Sequence, residues 1–501
     1  MTFRAAPVLD AYTLSGLPPP ALAGRRKAIS IVNVCGAVAF PSLRSVPMAR
    51  TSKPDRAWRW VLAVLLLAAC KPASPTPPPP PPPPPSPPGP EAAAAFDDRS
   101  NGLVSDSIHQ ADRVVFDAVE TLADGLGPVY NAQSCRECHQ NPTSGGASQV
   151  TELRVGHLGP DGRFRNPDIL IGRGADTIHG RTLVNDRAIC PNAAFPDSEI
   201  QERVPDEDTI STRRASLNLL GDGLVEAVAD TTLFRIAREQ RRLTGGRIHG
   251  QALLVPIVES AGKTGVGRFG WKDQHASLLS FAGDAYVNEM GITNTLFPTE
   301  VTNVCNSVAE PNDKPGRDGL SDIDRFARFM RATKAPARDT ILAATAAARR
   351  GSTLFDSIGC VTCHVRSLRT ADAGTVINGG RDTVGAAIGG RVFHPFGDFL
   401  LHDIGTVDGI AIAVPEHYGR RFASYGWQEF SMDSMLGART KVRTAPLWGL
   451  RLRPRLLHDF SALTLRDAVL RHQREAGDVT DRFRALPAGE QEAILVFLRT
   501  L

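Results

Sequence analysis

Cys135-Arg136-Glu137-Cys138-His139 and Cys360-Val361-Thr362-Cys363-His364 are two copies of one pattern, Cys-x-x-Cys-His. In that pattern the two thiols add to the vinyl groups of a haem, and the adjacent His supplies the proximal nitrogen to iron. The thioether bonds hold the porphyrin edge while the next residue reaches under its face. A single copy would also describe a redox dithiol that happens to precede a His. Two copies use four of the eight cysteines, which puts the di-haem reading far ahead of coincidence. The expected cofactors are therefore two covalently bound haem c groups. Cys135, Cys138, Cys360 and Cys363 are the attachment points, and His139 and His364 are the proximal ligands.

Haem attachment of this kind happens outside the cytoplasm, and the N-terminal stretch carries a matching address. Arg56 to Arg59 is basic, Val61 to Leu67 is apolar, and Leu67-Ala68-Ala69-Cys70 closes the run. The segment is too short for a final membrane span and reads as a lipoprotein signal over 48–69, with lipidation at Cys70. A single helical anchor is the alternative. Residues 1–47 do not fit a secretion signal and read as an upstream start mis-called ahead of Met48. From 70 to 95 a proline-rich linker follows, with nine prolines in a row from Pro77 to Pro85. Such a run adopts an extended polyproline rod. At about 3.1 Å per residue, Pro72 to Pro90 would reach roughly 60 Å and hold a folded body away from a membrane. The expected location is the periplasm, lipid-anchored to the outer or inner membrane.

The body from Phe96 to Leu501 is too long for one core. It divides in expectation into an N-terminal haem domain, 96–340, and a C-terminal one, 341–501. With 57 basic and 53 acidic residues the charge is nearly balanced, so composition indicates no nucleic-acid partner. Cys190 and Cys305 are left over. In an oxidising compartment they pair or stay as buried thiols. The chain reads as mainly α, with short helices in long loops and few strands. Helical periodicity marks 112–123, 233–242 and 322–333. Thr464-Leu465-Arg466-Asp467 opens a helix with a capping-box pattern, and the last helix follows Leu486-Pro487. Ala252 to Val258 reads as a strand. Gly351-Ser352-Thr353-Leu354-Phe355 forms the helix leading to the second motif and should pair with the terminal helix. Arg213-Arg214-Ala215-Ser216-Leu217-Asn218-Leu219-Leu220 and Arg443-Thr444-Ala445-Pro446-Leu447-Trp448-Gly449-Leu450 match at Arg, Ala, Leu and Leu, each downstream of its own motif.

Several longer segments now carry a resemblance. They are Gly125-Leu126-Gly127-Pro128-Val129-Tyr130-Asn131, Gly267-Arg268-Phe269-Gly270-Trp271-Lys272, Met290-Gly291-Ile292-Thr293, Asp398-Phe399-Leu400-Leu401-His402-Asp403, Arg443 to Gly449, and Leu456-Leu457-His458-Asp459. Together they resemble the bacterial di-haem oxidoreductases, also called di-haem peroxidases or thiol oxidoreductases, which are related to di-haem cytochrome c peroxidase. The likeness runs over most of 116–501. Phe460-Ser461 depart from it, where relatives continue with Gly-Arg. The resemblance implies two cytochrome-c-like domains with long loops. It places a sixth ligand after Leu465-Arg466-Asp467-Ala468-Val469, where His472 stands. Met432 and Met435 are the alternatives, and a plain surface role is another.

Arg213 and Arg443 are candidates to pair haem propionates, or simply surface cations. Glu226 is the candidate acid or base, and Trp271 the candidate bridge between haems. Either could instead serve packing or solvation. Met290 could cap the first haem. His402 and His458, each followed by Asp, suit supporting or propionate roles. The implied function is peroxidase-like. Electrons from a small cytochrome or cupredoxin reach the second haem and pass to the first, where peroxide or another small oxidant is reduced or a substrate is oxidised. A non-catalytic electron-transfer cytochrome and an accessory haem lipoprotein are the alternatives.

Overall fold

Helices surround both Cys-x-x-Cys-His motifs, and short antiparallel strand pairs fill the connections between them. The computed structural model describes residues 86–306, 308–406, 408–411 and 438–501. The lipoprotein signal, Cys70, the run Pro77–Pro85, Met432 and Met435 lie outside the described residues. The described residues all fall in one compact unit, Thr76–Leu501. Among them no helix is long and apolar enough to cross a membrane.

The N-terminal half is built on α1 (Asp106–Asp117), α2 (Asp230–Leu243), α3 (Leu278–Met290) and α4 (Asp322–Ala332). Helix α1 starts earlier than periodicity suggested because Ser105 caps it, accepting from the Ile108 amide. It stops at Asp117, and Leu122–Asp124 forms a separate turn boxed by Thr121 and Asp124. Ser321 and Asp324 box the start of α4, whose Ile323, Phe326, Phe329 and Met330 are buried. Phe116 of α1 meets Phe326 edge-on at 6.0 Å and Phe329 at 4.8 Å. Each aromatic buried this way contributes about 1.5–3 kcal/mol. This core also takes in Leu368, Phe393, Phe399 and Trp448, so it draws on both sides of residue 340.

The C-terminal half adds α5 (Ala346–Ile358), α6 (Leu465–Leu470), α7 (Gly477–Ala485) and α8 (Ala488–Leu498). Helices α5 and α8 pack together as the sequence suggested, with Phe355 and Phe497 edge-on at 5.3 Å. Gly351 permits the crossing, because a Cβ there would sit 1.9 Å from the Ala493 carbonyl oxygen. A second core of Leu354, Phe355, Phe396, Phe483, Ile494 and Phe497 fills this region.

Strands are more numerous than a mainly α reading allows. The longest, β1 (Thr151–Leu158), pairs antiparallel with β2 (Phe164–Arg165), β3 (Leu183–Val184) and β4 (Ile210–Ala215). Further pairs join β5 (Leu254–Pro256) to β6 (Thr264–Val266) and β7 (Leu401–His402) to β8 (Val442–Arg443). Two-residue strands leave no periodic trace to read, which is why loops were expected in their place. Cys190 and Cys305 form a disulfide across 115 residues, with Cα atoms 4.9 Å apart. A cross-link over such a loop contributes roughly 2–5 kcal/mol.

Candidate functional site

Each motif opens one cavity. Cys135–Cys138 forms a single helical turn, and His139 follows it. In the second copy α5 ends at Gly359, left-handed at φ 101°, which turns the chain into Cys360–Thr362. Cys135, Cys138 and His139 line a cavity of about 420 Å³. Cys360, Cys363 and His364 line one of about 200 Å³.

The histidines are held alike. His139 Nδ1 lies 2.7 Å from the Leu217 carbonyl oxygen, and His364 Nδ1 lies 3.0 Å from that of Phe396. Donating through Nδ1 fixes the tautomer and keeps Nε2 as the free lone pair. Burial pushes both rings down to about 4, so they are neutral and fit to ligate at neutral pH. Burial also pushes Cys138 and Cys360 up to about 12, with Cys135 and Cys363 raised as well. Such thiols are not the low-pKa nucleophiles of a redox dithiol.

His472 enters the His364 cavity. Its Nδ1 lies 2.8 Å from the Ala468 carbonyl oxygen, again leaving Nε2 free. The His364 and His472 ring centroids are 6.5 Å apart. Two metal–nitrogen bonds of about 2 Å each, plus the half-widths of two imidazoles, fill a gap of that size. The rest of the wall is apolar, with Phe355, Val469, Phe483 and Leu498 among its residues. Arg443, Arg453 and His458 add polar groups. Arg453 has an unpartnered guanidinium nitrogen, and neither ring nitrogen of His458 has a hydrogen-bond partner. Burial pushes Arg453 down to about 10, and the Arg443 charge adds to it. A buried cation with an unpartnered nitrogen, Arg453, beside an apolar, doubly imidazole-faced slot is what a haem with its propionates fits.

The His139 cavity carries more polar groups on its walls. Glu152, Arg154, Arg214, Gln274, Asp284, Glu289 and Met290 line it. Arg154 chelates Glu152 from Nε at 2.7 Å and from a terminal nitrogen at 2.9 Å. Glu289, on the last turn of α3, accepts from Asn131 Nδ2 at 2.8 Å. Arg154 also stands 3.9 Å from Glu289, so the two carboxylates share one cation. Burial, and then the Glu152 charge, raise Glu289 well above the usual carboxylate range. Burial works the same way on Glu152, but Arg154 outweighs it and holds Glu152 low. The two carboxylates are thus pushed in opposite directions beside one cation.

Trp271 lines both cavities and donates from Nε1 to the Ala215 carbonyl oxygen at 2.7 Å.

Residues 191–501 match the model of the family described as "Di-haem oxidoreductase, putative peroxidase". The chain belongs to the di-haem oxidoreductase family. The matched residues hold the second motif, and the first, at 135–139, precedes them. No curated protein matches the sequence. Among solved structures, hydrazine synthase of Kuenenia stuttgartiensis is 13% identical with a TM-score of 0.34, over 95% of this chain and 100% of that one. A MauG-like protein associated with microbial copper homeostasis is 15% identical at 0.28, over 82% and 93%. A variant of the diheme peroxidase BthA from Burkholderia thailandensis E264 is 14% identical at 0.31, over 85% and 95%. Scores this low mark distant likenesses.

In this di-haem oxidoreductase the structure moves two of the expected residues away from the cavities. Glu226 is buried, but it lines neither cavity. Its carboxylate is taken by Arg331 at 2.6 and 3.0 Å, the Leu278 amide at 2.8 Å and Asn378 at 3.0 Å. It caps α3 rather than facing a reactant. Arg213 is exposed, and its neighbour Arg214 faces the His139 cavity instead. Strand alternation decides this, since Arg214 pairs with Glu152 in β1 while Arg213 pairs with Leu153. Arg443 does reach the His364 cavity, where its Nε donates to the Gly270 carbonyl oxygen at 2.9 Å. His402 also lines that cavity, held between Asp398 and Glu475 at 2.9 Å each. Sequence reading missed Glu152, Arg154 and Glu289. The alternation of Thr151–Leu158 was the one signal that could have placed the first two.

Proposed function

We propose that the protein is a peroxidase-like di-haem enzyme. Electrons arrive on the His364 side and pass by way of Trp271 to the His139 side, where peroxide or another small oxidant is reduced or a substrate is oxidised. When bound, the two haems supply iron centres that accept and release single electrons. The observation that carries the reading is the asymmetry of the cavities. His472 stands opposite His364 and with a haem bound would leave no room for a reactant, whereas the His139 cavity holds two carboxylates that share Arg154 and are pushed in opposite directions.

Splitting peroxide needs a proton moved from one oxygen to the other. Glu152 has the vacancy to receive it and Glu289 has a proton to give, so the pair can do both without bulk water. Arg154 keeps Glu152 ionised and supplies positive charge where an oxyanion develops. Trp271 supplies an aromatic surface common to both cavities. Arg443 and Arg453 would hold the propionates on the His364 side, and Arg214 is the cation available for them on the other.

A small cytochrome or cupredoxin as electron donor, lipidation at Cys70 and a periplasmic location complete the proposal. The Cys190–Cys305 disulfide supports an oxidising compartment. Met290 in the His139 cavity supports a second reading, a six-coordinate electron carrier without chemistry of its own. An optical spectrum of the ferric protein separates the two. One high-spin haem that responds to peroxide and cyanide beside one unresponsive low-spin haem is the expected result. Two unresponsive low-spin haems would leave only the carrier.

A further inference from the structure

A buried charge cluster lies between the two cavities, and of its members the chemistry above uses only Arg214. Arg214 walls the His139 cavity, His458 walls the His364 cavity, and one carboxylate, Asp408, approaches both. Arg214 gives Asp408 two hydrogen bonds of 3.2 Å. His458 Nε2 is 3.5 Å from the same carboxylate. Lys272 Nζ stands 2.9 Å from Asp408 and donates to the carbonyl oxygens of Ala438, Arg439 and Lys441 at 3.1, 3.1 and 2.6 Å. Asp408 and Lys272 are 0% exposed, and Arg214 and His458 are 3% exposed. Trp271, next in the chain to Lys272, meets the His458 ring edge-on at 6.0 Å.

A cluster of this kind is expensive to bury unless each charge is paired. Burial alone would push Asp408 up, but Arg214 and Lys272 outweigh it and hold it ionised. Burial pushes His458 down against the pull of Asp408 and Asp459, and the Arg214 and Lys272 charges add to it, so its ring is neutral. Two buried cations then face one buried anion. Buried charges act at longer range than surface charges and escape screening by salt.

We propose that Asp408 is a positioning residue that couples the two haem sites electrostatically. Its charge, fixed by Arg214 and Lys272, sets the reduction potential on both sides at once. The proposal rests on the two-haem reading above but not on peroxide turnover.

Redox titration of the di-haem protein tests it. Removing the negative charge with Asp408→Asn should raise both midpoint potentials. Arg214→Gln leaves Lys272 beside Asp408, so the carboxylate keeps one cation. This variant should lower both potentials, including the one on the His364 side that Arg214 does not line. Asp398→Asn, whose carboxylate contacts His402, Gln240 and the Leu400 amide on the His364 side, should move one potential alone. The Asp408 and Arg214 shifts should persist at about 1 M salt, because the cluster is buried. If either of those two variants carries both haems and moves only one potential, or none, Asp408 does not couple the sites. A wild-type chain that stains for fewer than two haems, or never responds to peroxide, instead sinks the reading in the preceding subsection.

Discussion

The two cavities begin from the same five-residue pattern and end with opposite characters. Around His364 the space is about 200 Å³, the walls are apolar, and a second imidazole stands across the slot. Around His139 the space is about 420 Å³, and the walls carry Glu152, Glu289, Arg154 and Arg214. In both, the motif places a buried histidine whose ring is held by a backbone carbonyl. What differs is the opposite wall, which comes from α6 and the residues just after it in one case and from β1, β4 and α3 in the other. The motif is therefore local in the chain, while the wall that faces it comes from distant segments.

The sharpest way to break this contrast is to remove the proton-carrying group from the polar cavity. Glu289→Gln keeps the shape and the Asn131 contact but cannot give or take the proton. Peroxide turnover should fall by about 10²–10⁴-fold, with haem stain and ferric spectrum unchanged. A loss below tenfold would move the acid–base role elsewhere. The next change erases the contrast from the other side. His472→Ala should open the His364 cavity, and its haem should turn from low-spin to high-spin and begin to bind cyanide. A low-spin His472→Ala protein would show that another side chain holds the sixth position.

The contiguous parts of the site were legible in the sequence. Cys135 to His139 and Cys360 to His364 could be read because attachment chemistry demands neighbours. His472 was reachable because it follows its helix at a fixed offset. Glu289 and Glu152 were not, because they meet only when α3 closes on β1, and no spacing encodes that contact. Aligning the two Arg-containing repeats pointed to Arg213, one position from the residue that faces the cavity. Repeat similarity gives position but not parity along a strand, and in β4 the parity belongs to Arg214. Glu226 was chosen for its place after the repeat, yet four donors already occupy its oxygens. In the fold, long periodic helices such as α4 and α8 were legible. The two-residue strands were not, since pairing across loops rather than local periodicity creates them.

The smallest expected effect compares how the two regions are packed. Alanine normally favours a helix over glycine by about 0.5–1 kcal/mol, so a Gly→Ala change inside a helix should stabilise unless space forbids it. At Gly351 space forbids it. The new Cβ would lie 1.9 Å from the Ala493 carbonyl oxygen and 2.4 Å from its carbon, and both are backbone of the crossing helix. Helices α5 and α8 would have to part, at a cost of about 1–3 kcal/mol that exceeds the propensity gain. At Gly283 in α3 the nearest atoms are side-chain atoms of Asn294 and Phe297 at 3.1–3.2 Å, which can give by a few tenths of an ångström. Thermal unfolding should therefore show a clear drop in Tm for Gly351→Ala and little change for Gly283→Ala. Equal Tm values would mean that the α5–α8 crossing is looser than its geometry states. The His364 cavity would then owe its closure to His472 alone rather than to the helix pair beneath it.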